Sequence, residues 1–223
     1  MRVASLHRVV VVGALSASLL GCAFFTKSDP VVLRYFTPEA IGARPDPPDA
    51  VRLAAKPANG PTGLELRMGR INSASYVKDR IAFRDKSYEI GYYEELRWTE
   101  KPEAYLRRAL ARALFEEQGI HQIISGSGTT MDVDLDAFEE LRSPRHAARM
   151  QVTWALRDDQ RVQFQETFVI ERPLPPGGPS GPEAIAAAMA QAFDASVERV
   201  VTGVMAALSK ATASAPPVAA GAP

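Results

Sequence analysis

Cys22 is the only cysteine among the 223 residues, and it closes the run Leu19-Leu20-Gly21-Cys22. A lone thiol cannot form an intrachain disulfide, and without a Cys/His cluster it cannot build a zinc site. What remains to it is nucleophilic chemistry, attack by the thiolate on an activated carbon. Other candidates are weaker. Asp132, Asp134 and Asp136 alternate like the opening of a calcium loop, but an EF-hand would then need Gly at 137 and Glu at 143. The chain has Ala137 and Ser143 there, and the same alternation suits the wet face of a strand. Gly126-Ser127-Gly128 lacks the Gly-Lys-Ser/Thr of a phosphate loop and is not the Gly-x-Ser-x-Gly of a nucleophile elbow. Beyond Cys22 the chain has two histidines, His121 and His146. No local pattern joins either to a nucleophile, so solvated or structurally satisfied histidines are the plainer reading. We therefore expect no catalytic residue, no metal site and no cofactor.

The setting of Cys22 narrows what its thiol does. A short basic start (Arg2, His7, Arg8) leads into an apolar run from Val9 to Leu20. A membrane-crossing helix needs ~20 apolar residues, so this shorter run reads as the core of a secretory signal. With small residues before the cysteine and Leu19 three before it, the segment resembles the bacterial lipobox. There the thiol is lipidated and the chain is cut before it. Residues 1–21 would be a lipoprotein signal peptide, and Cys22 the mature N-terminus. An ordinary signal cut near Ala23, or a free buried thiol, is the alternative. Each buried CH₂ contributes ~0.8 kcal/mol, so several acyl chains hold firmly without any spanning helix. Ala23 stands where an Asp would retain a Gram-negative lipoprotein at the inner membrane. That implies the outer membrane, with the folded part facing the periplasm.

Removing residues 1–21 leaves 202, enough for one domain with tails. Loss of Arg2 and Arg8 leaves 24 basic against 26 acidic residues. That balance gives no electrostatic footprint for a nucleic-acid partner. With its one cysteine used as an anchor, the fold must be held by packing alone.

The elements follow from pattern. Residues 22–61 divide into a tether, a first strand at Val31–Phe36, and a loop from Thr37 to Pro61 with six prolines. Leu64, Leu66 and Met68 alternate as a half-buried strand. Arg80–Arg84 and Tyr88–Tyr93 are two short strands turning at Asp85-Lys86-Ser87. A helix follows, capped by Thr99, with Pro102 early, a stripe of Tyr105, Leu106, Ala109, Leu110, Ala113 and Leu114, and Gly119 to close it. Ile120–Ile124 reads as a short strand. Met131, Val133 and Leu135 alternate, but Phe138 and Leu141 continue out of phase, which predicts a bulge near Ala137. Ala148, Met150, Val152, Trp154 and Leu156 share one face of the clearest strand. A turn at Asp158-Asp159-Gln160 brings back Val162, Phe164, Phe168 and Ile170, so 147–171 is an antiparallel hairpin. The last helix runs from Pro182 to about Lys210 on the stripe Ile185, Met189, Phe193, Val197, Val200, Val204 and Leu208. Residues 211–223 form an Ala/Pro tail expected to be disordered.

Tyr76-Val77-Lys78-Asp79-Arg80, then Arg97-Trp98-Thr99-Glu100 with Pro102, then Leu106, Leu110 and Leu114 carry a family likeness. Together with the lipobox and the aromatic strand at Tyr35-Phe36, this order resembles the ABC-type transport auxiliary lipoproteins, the family of paraquat-inducible protein C. The likeness covers about 31–210. The chain departs from it at Val77 for Leu, at Thr99 for Ala, and in the long proline segment before Gly63. The resemblance implies an α/β sandwich, a mixed β-sheet with packed helices. It also implies a non-enzymatic lipoprotein beside an ABC transporter that moves phospholipids or other hydrophobic compounds between the two membranes. Its partner would be a protein with a mammalian-cell-entry (MCE) domain, which it would dock. Tyr76, Arg80, Arg97, Trp98 and Pro102 would then be structural or interface residues. A passage between membranes needs walls that one small domain cannot supply, so a homo-oligomer is a further expectation. The competing functions are a lipid-anchored envelope hydrolase using His121 or His146, and a structural envelope lipoprotein of another assembly.

Overall fold

The computed structural model describes residues 30–39, 63–174 and 181–214. The residues before Leu33 form a separate unit, of which Pro30–Val32 are described as exposed coil. From Leu33 onward the chain makes a mixed eight-stranded sheet with two helices.

The strands are β1 (Arg34–Phe36), β2 (Glu65–Ser73), β3 (Arg80–Lys86), β4 (Glu89–Trp98), β5 (His121–Gln122), β6 (Thr130–Leu141), β7 (Ala147–Arg157) and β8 (Val162–Pro173). Helix α1 spans Pro102–Ala111 and passes into a π-helical segment at Arg112–Glu117; helix α2 spans Pro182–Ser214. The sheet is organised on β6. One of its edges pairs with antiparallel β7, which pairs in turn with β8. The other edge is divided: β2 runs parallel to its first half, and β3 runs parallel to its last three residues. β5 extends the sheet beyond β2, while β4 and then β1 extend it beyond β3.

Both helices serve one face. The side of β7 bearing Ala148, Met150, Val152, Trp154 and Leu156 is buried against α2, as the alternation requires. The whole expected stripe of α2, from Ile185 to Leu208, is buried. The bulge lies where the phase change put it, between Leu135 and Ala137 in the pairing with β7. It lets Phe138 rejoin the helix side, where its ring packs 5.1 Å from Trp98 and 6.4 Å from Phe193.

Several expectations are corrected. β1 has three residues and not six, and β5 two and not five. The β3–β4 turn is at Ser87-Tyr88, one step beyond the expected turn. Thr99 is not the cap of α1. Lys101 holds that position, with Pro102 fixing the first turn, and the Thr99 hydroxyl bonds the Tyr105 hydroxyl instead. The end of the stretch is π-helical, and Gly119 then closes it at φ +71°. Val162 and Phe164, on the returning strand, are 54% and 38% exposed. They lie on the outermost strand, along which Arg199 of α2 packs over the Phe168 ring. Helix α2 continues to Ser214, so residues 211–214 are helical and not tail. The proline-rich loop beyond Glu39 and the tail beyond Ser214 lie outside the described residues.

The packing of α2 is testable at Gly203. A Cβ there would stand 2.5 Å from Cζ2 of the fully buried Trp154. Ala in place of a helical glycine stabilises by ~1 kcal/mol, whereas overpacking costs ~1–3 kcal/mol. The second effect should win, because a large buried ring cannot step aside. Gly203→Ala is expected to lower the urea-unfolding stability by roughly 1–2 kcal/mol.

Candidate functional site

Cys22 and its neighbours Leu19, Leu20 and Gly21 lie outside the described residues. The other singled-out residues are all described, and they form a structural brace more than a pocket. Trp98 is buried at the end of β4, and its backbone N–H donates to Asp79 O at 2.6 Å. Arg97 donates to Tyr93 O at 3.0 Å and Leu96 O at 2.9 Å. The guanidinium of Arg80 sits 5.2 Å over the Tyr92 ring and reaches Tyr93 O. Tyr92 donates to Tyr76 O at 2.9 Å, and Tyr76 donates across to Asp136 O at 3.1 Å, at the bulge of β6. Pro102 is buried at the start of α1. Thus Tyr76, Arg80, Arg97 and Trp98 join the β2–β3 connection to β4 and β6.

The sheet face away from the helices carries charge in paired sets. Asp132 accepts from Arg157 Nε at 2.6 Å and from the Arg70 backbone N–H at 2.7 Å. Burial alone would raise its pKa, but these donors hold it below the ordinary carboxylate value. Asp134 accepts from Asn72 at 3.3 Å, and Asp136 from Thr153 at 2.6 Å. The three aspartates therefore line a strand face, each with a protein donor. Among the described residues no three metal-ligating side chains come together. Gly126 O is bonded by Arg67, which makes the Gly126-Ser127-Gly128 turn a structural one.

Two glutamates escaped the sequence reading. Glu139 is wholly buried on the helix-free face, gripped by Arg84 at 2.9 and 3.0 Å, with Arg149 3.7 Å away. Glu140, next in the chain, points to the opposite side and is 2% exposed. It accepts from Tyr93 at 2.6 Å, Arg142 at 3.2 Å and His146 Nε2 at 2.6 Å. Arg142 lies flat on Phe83, 3.4 Å from the ring centre. The signal for them was two adjacent glutamates continuing an alternating strand, a pattern that cannot leave both in water. The histidines do not meet. His121 is exposed on β5 beside the start of β2, and His146 follows the end of β6.

Of the sheet's outer strands, β1 and β5 are very short, but β8 has twelve residues and, among the described residues, pairs on one side only. Val162, Phe164 and Val169 are exposed along it, with no lysine and a single proline at its last residue. A strand edge left open in this way can accept another strand.

The family model of the ABC-type transport auxiliary lipoprotein component matches residues 48–201. The chain belongs to that family. This transport auxiliary lipoprotein is also similar in fold to solved structures. A crystal structure of a Xanthomonas campestris protein superposes with a TM-score of 0.64 at 21% identity, covering 81% of this chain and 99% of that one. The crystal structure of an uncharacterized protein gives 0.54 at 13% identity, covering 65% and 94%. At such identities the likeness is one of fold alone. No curated protein is detectably similar in sequence. Membership of a lipoprotein family makes the chain an envelope protein of the lipid-anchored kind.

Arg84→Ala leaves Glu139 buried with only a distant Arg149 and should cost ~3–5 kcal/mol in denaturant unfolding, more than Arg157→Ala at an exposed arginine. The phenols of Tyr76 and Tyr93 are both pushed up to about 12. Burial is the first cause for each, followed by the charge of Glu139 for Tyr76 and by the bond to Glu140 for Tyr93. A raised phenol contributes its full stability below about pH 10 and loses it as the pH climbs through the folded value. Phenolate absorbance should therefore show a late phase near pH 12, reduced in Tyr93→Phe and again in Tyr76→Phe.

Proposed function

We propose that this protein is a membrane-anchored periplasmic component of an ABC/MCE-type transporter for phospholipids or other hydrophobic compounds. Acylated Cys22 holds it at the outer membrane, and the domain spanning about 31–210 docks the MCE component. The observation that carries this reading is the family match over 48–201. The described side chains support it. Buried carboxylates with two or three donors each are built to hold strands together, and the long open edge of β8 is built to be joined. The outer edge of β8 is the docking surface in this reading.

One contact favours the competing hydrolase. Glu140 beside His146 Nε2 at 2.6 Å is the orienting half of a general-base pair. In that reading His146→Asn abolishes function in a folded chain. As a docking component the protein keeps transport in His146→Asn. Crosslinking in intact cells should capture an MCE-domain protein, with yield sharply reduced by Val169→Lys at an exposed edge position and unchanged thermal stability. Loss of transport in folded His146→Asn, or an equal crosslink in Val169→Lys, would contradict this assignment.

A further inference from the structure

The corner of the sheet at β1 has an apolar surface with no use inside the fold. Alternation turns Phe36 toward the core, and it leaves Tyr35 61% exposed and Leu33, two residues before it, 44% exposed. Arg34 between them is paired with Glu183 at the start of α2, so the corner is not held open by an unpaired charge.

We infer that this corner lies against the bilayer that carries the anchor, with Leu33 and Tyr35 as the contacting side chains. The inference rests on acylation of Cys22, proposed above. Leu33 is eleven residues after Cys22, so in any conformation it stays within about 40 Å of the acylated thiol. Contact with that membrane is then intramolecular and does not depend on a bimolecular encounter. The side-chain types fit the interface. Leucine partitions into the acyl boundary, and tyrosine places its ring there with the hydroxyl in the headgroup layer. A second copy fits less well, because three residues of β1 offer too little backbone edge to continue a sheet. The long edge that could do so, β8, lies beyond β7 on the opposite flank of β6.

The test uses the acylated mature chain in phosphatidylethanolamine/phosphatidylglycerol vesicles. Acylation consumes the native thiol, so Tyr35→Cys, Leu33→Cys and Val169→Cys can each carry one environment-sensitive dye. Lipid-borne spin labels should quench the dyes at 35 and 33 several-fold more than the dye at 169. Equal quenching at the three positions overturns the inference. So does protection at 35 that disappears when the protein is diluted to single copies per vesicle, which would assign the corner to a second copy. Mass analysis of the same samples separates the two levels. An acylated chain without preferential quenching refutes the bilayer contact alone, whereas an unmodified Cys22 refutes the anchor and this contact with it.

Discussion

One strand has to satisfy three neighbours. β6 gives one edge to β7 over its whole length and splits the other between β2 and β3. A regular twelve-residue strand could not do this and also keep its apolar side chains on one face past the join. The bulge at Asp136 resolves the conflict. It shifts the phase by one residue, so Met131, Val133 and Leu135 before it and Phe138 after it all lie under the helices. The extra residue also turns the Asp136 carbonyl toward Tyr76, which ties the β2–β3 connection to the same point. The family-like residues around 76–102 make sense in this setting, as they secure the strands that must share β6.

The same shift explains why two consecutive carboxylates are buried. Past the bulge, Glu139 and Glu140 fall on opposite faces at the crowded junction with β3. Neither could be stable there without donors, since the desolvation penalty of a buried charge exceeds what one exposed pair returns. Each has been given two or more. The arginines that serve them come from neighbouring elements: Arg84 from β3, Arg149 from β7 and Arg142 from the β6–β7 turn. These pairs fix which strand adjoins which, a role that apolar packing alone would serve with less directional precision.

What was legible in the sequence follows from the range of each interaction. The α2 stripe, the β7 alternation and the bulge are local patterns of apolar side chains, and all three stand in the structure. The antiparallel β7–β8 pair follows from a short turn, in which Asp158 accepts from the N–H groups of Gln160 and Arg161. Misreadings arose where a distant partner decides the outcome. Thr99 had the right chemistry for a cap, but the Tyr105 hydroxyl claimed it. Phe164 shares the parity of the buried Phe168, but parity cannot reveal that a strand is outermost. Glu139 and Glu140 were not singled out, because Arg84, Arg149 and Tyr93, which help to satisfy them, come from other segments of the chain.

The arrangement also separates the molecule's surfaces by what they can still bind. On the helix-free face Asp132, Asp134, Asp136 and Glu139 already have protein donors. A ligand there would have to displace bonds of equal quality before gaining any. Strand edges differ, because an unpaired N–H or C=O at an edge is satisfied only by water and loses little when a new partner replaces it. In the proposed reading association runs along β8, where backbone groups and apolar side chains are presented together. A protein that acts by joining neighbours needs a surface of this kind more than it needs a cleft. With the carboxylates of that face already bonded within the protein, the edges are the places where another molecule gains most by attaching.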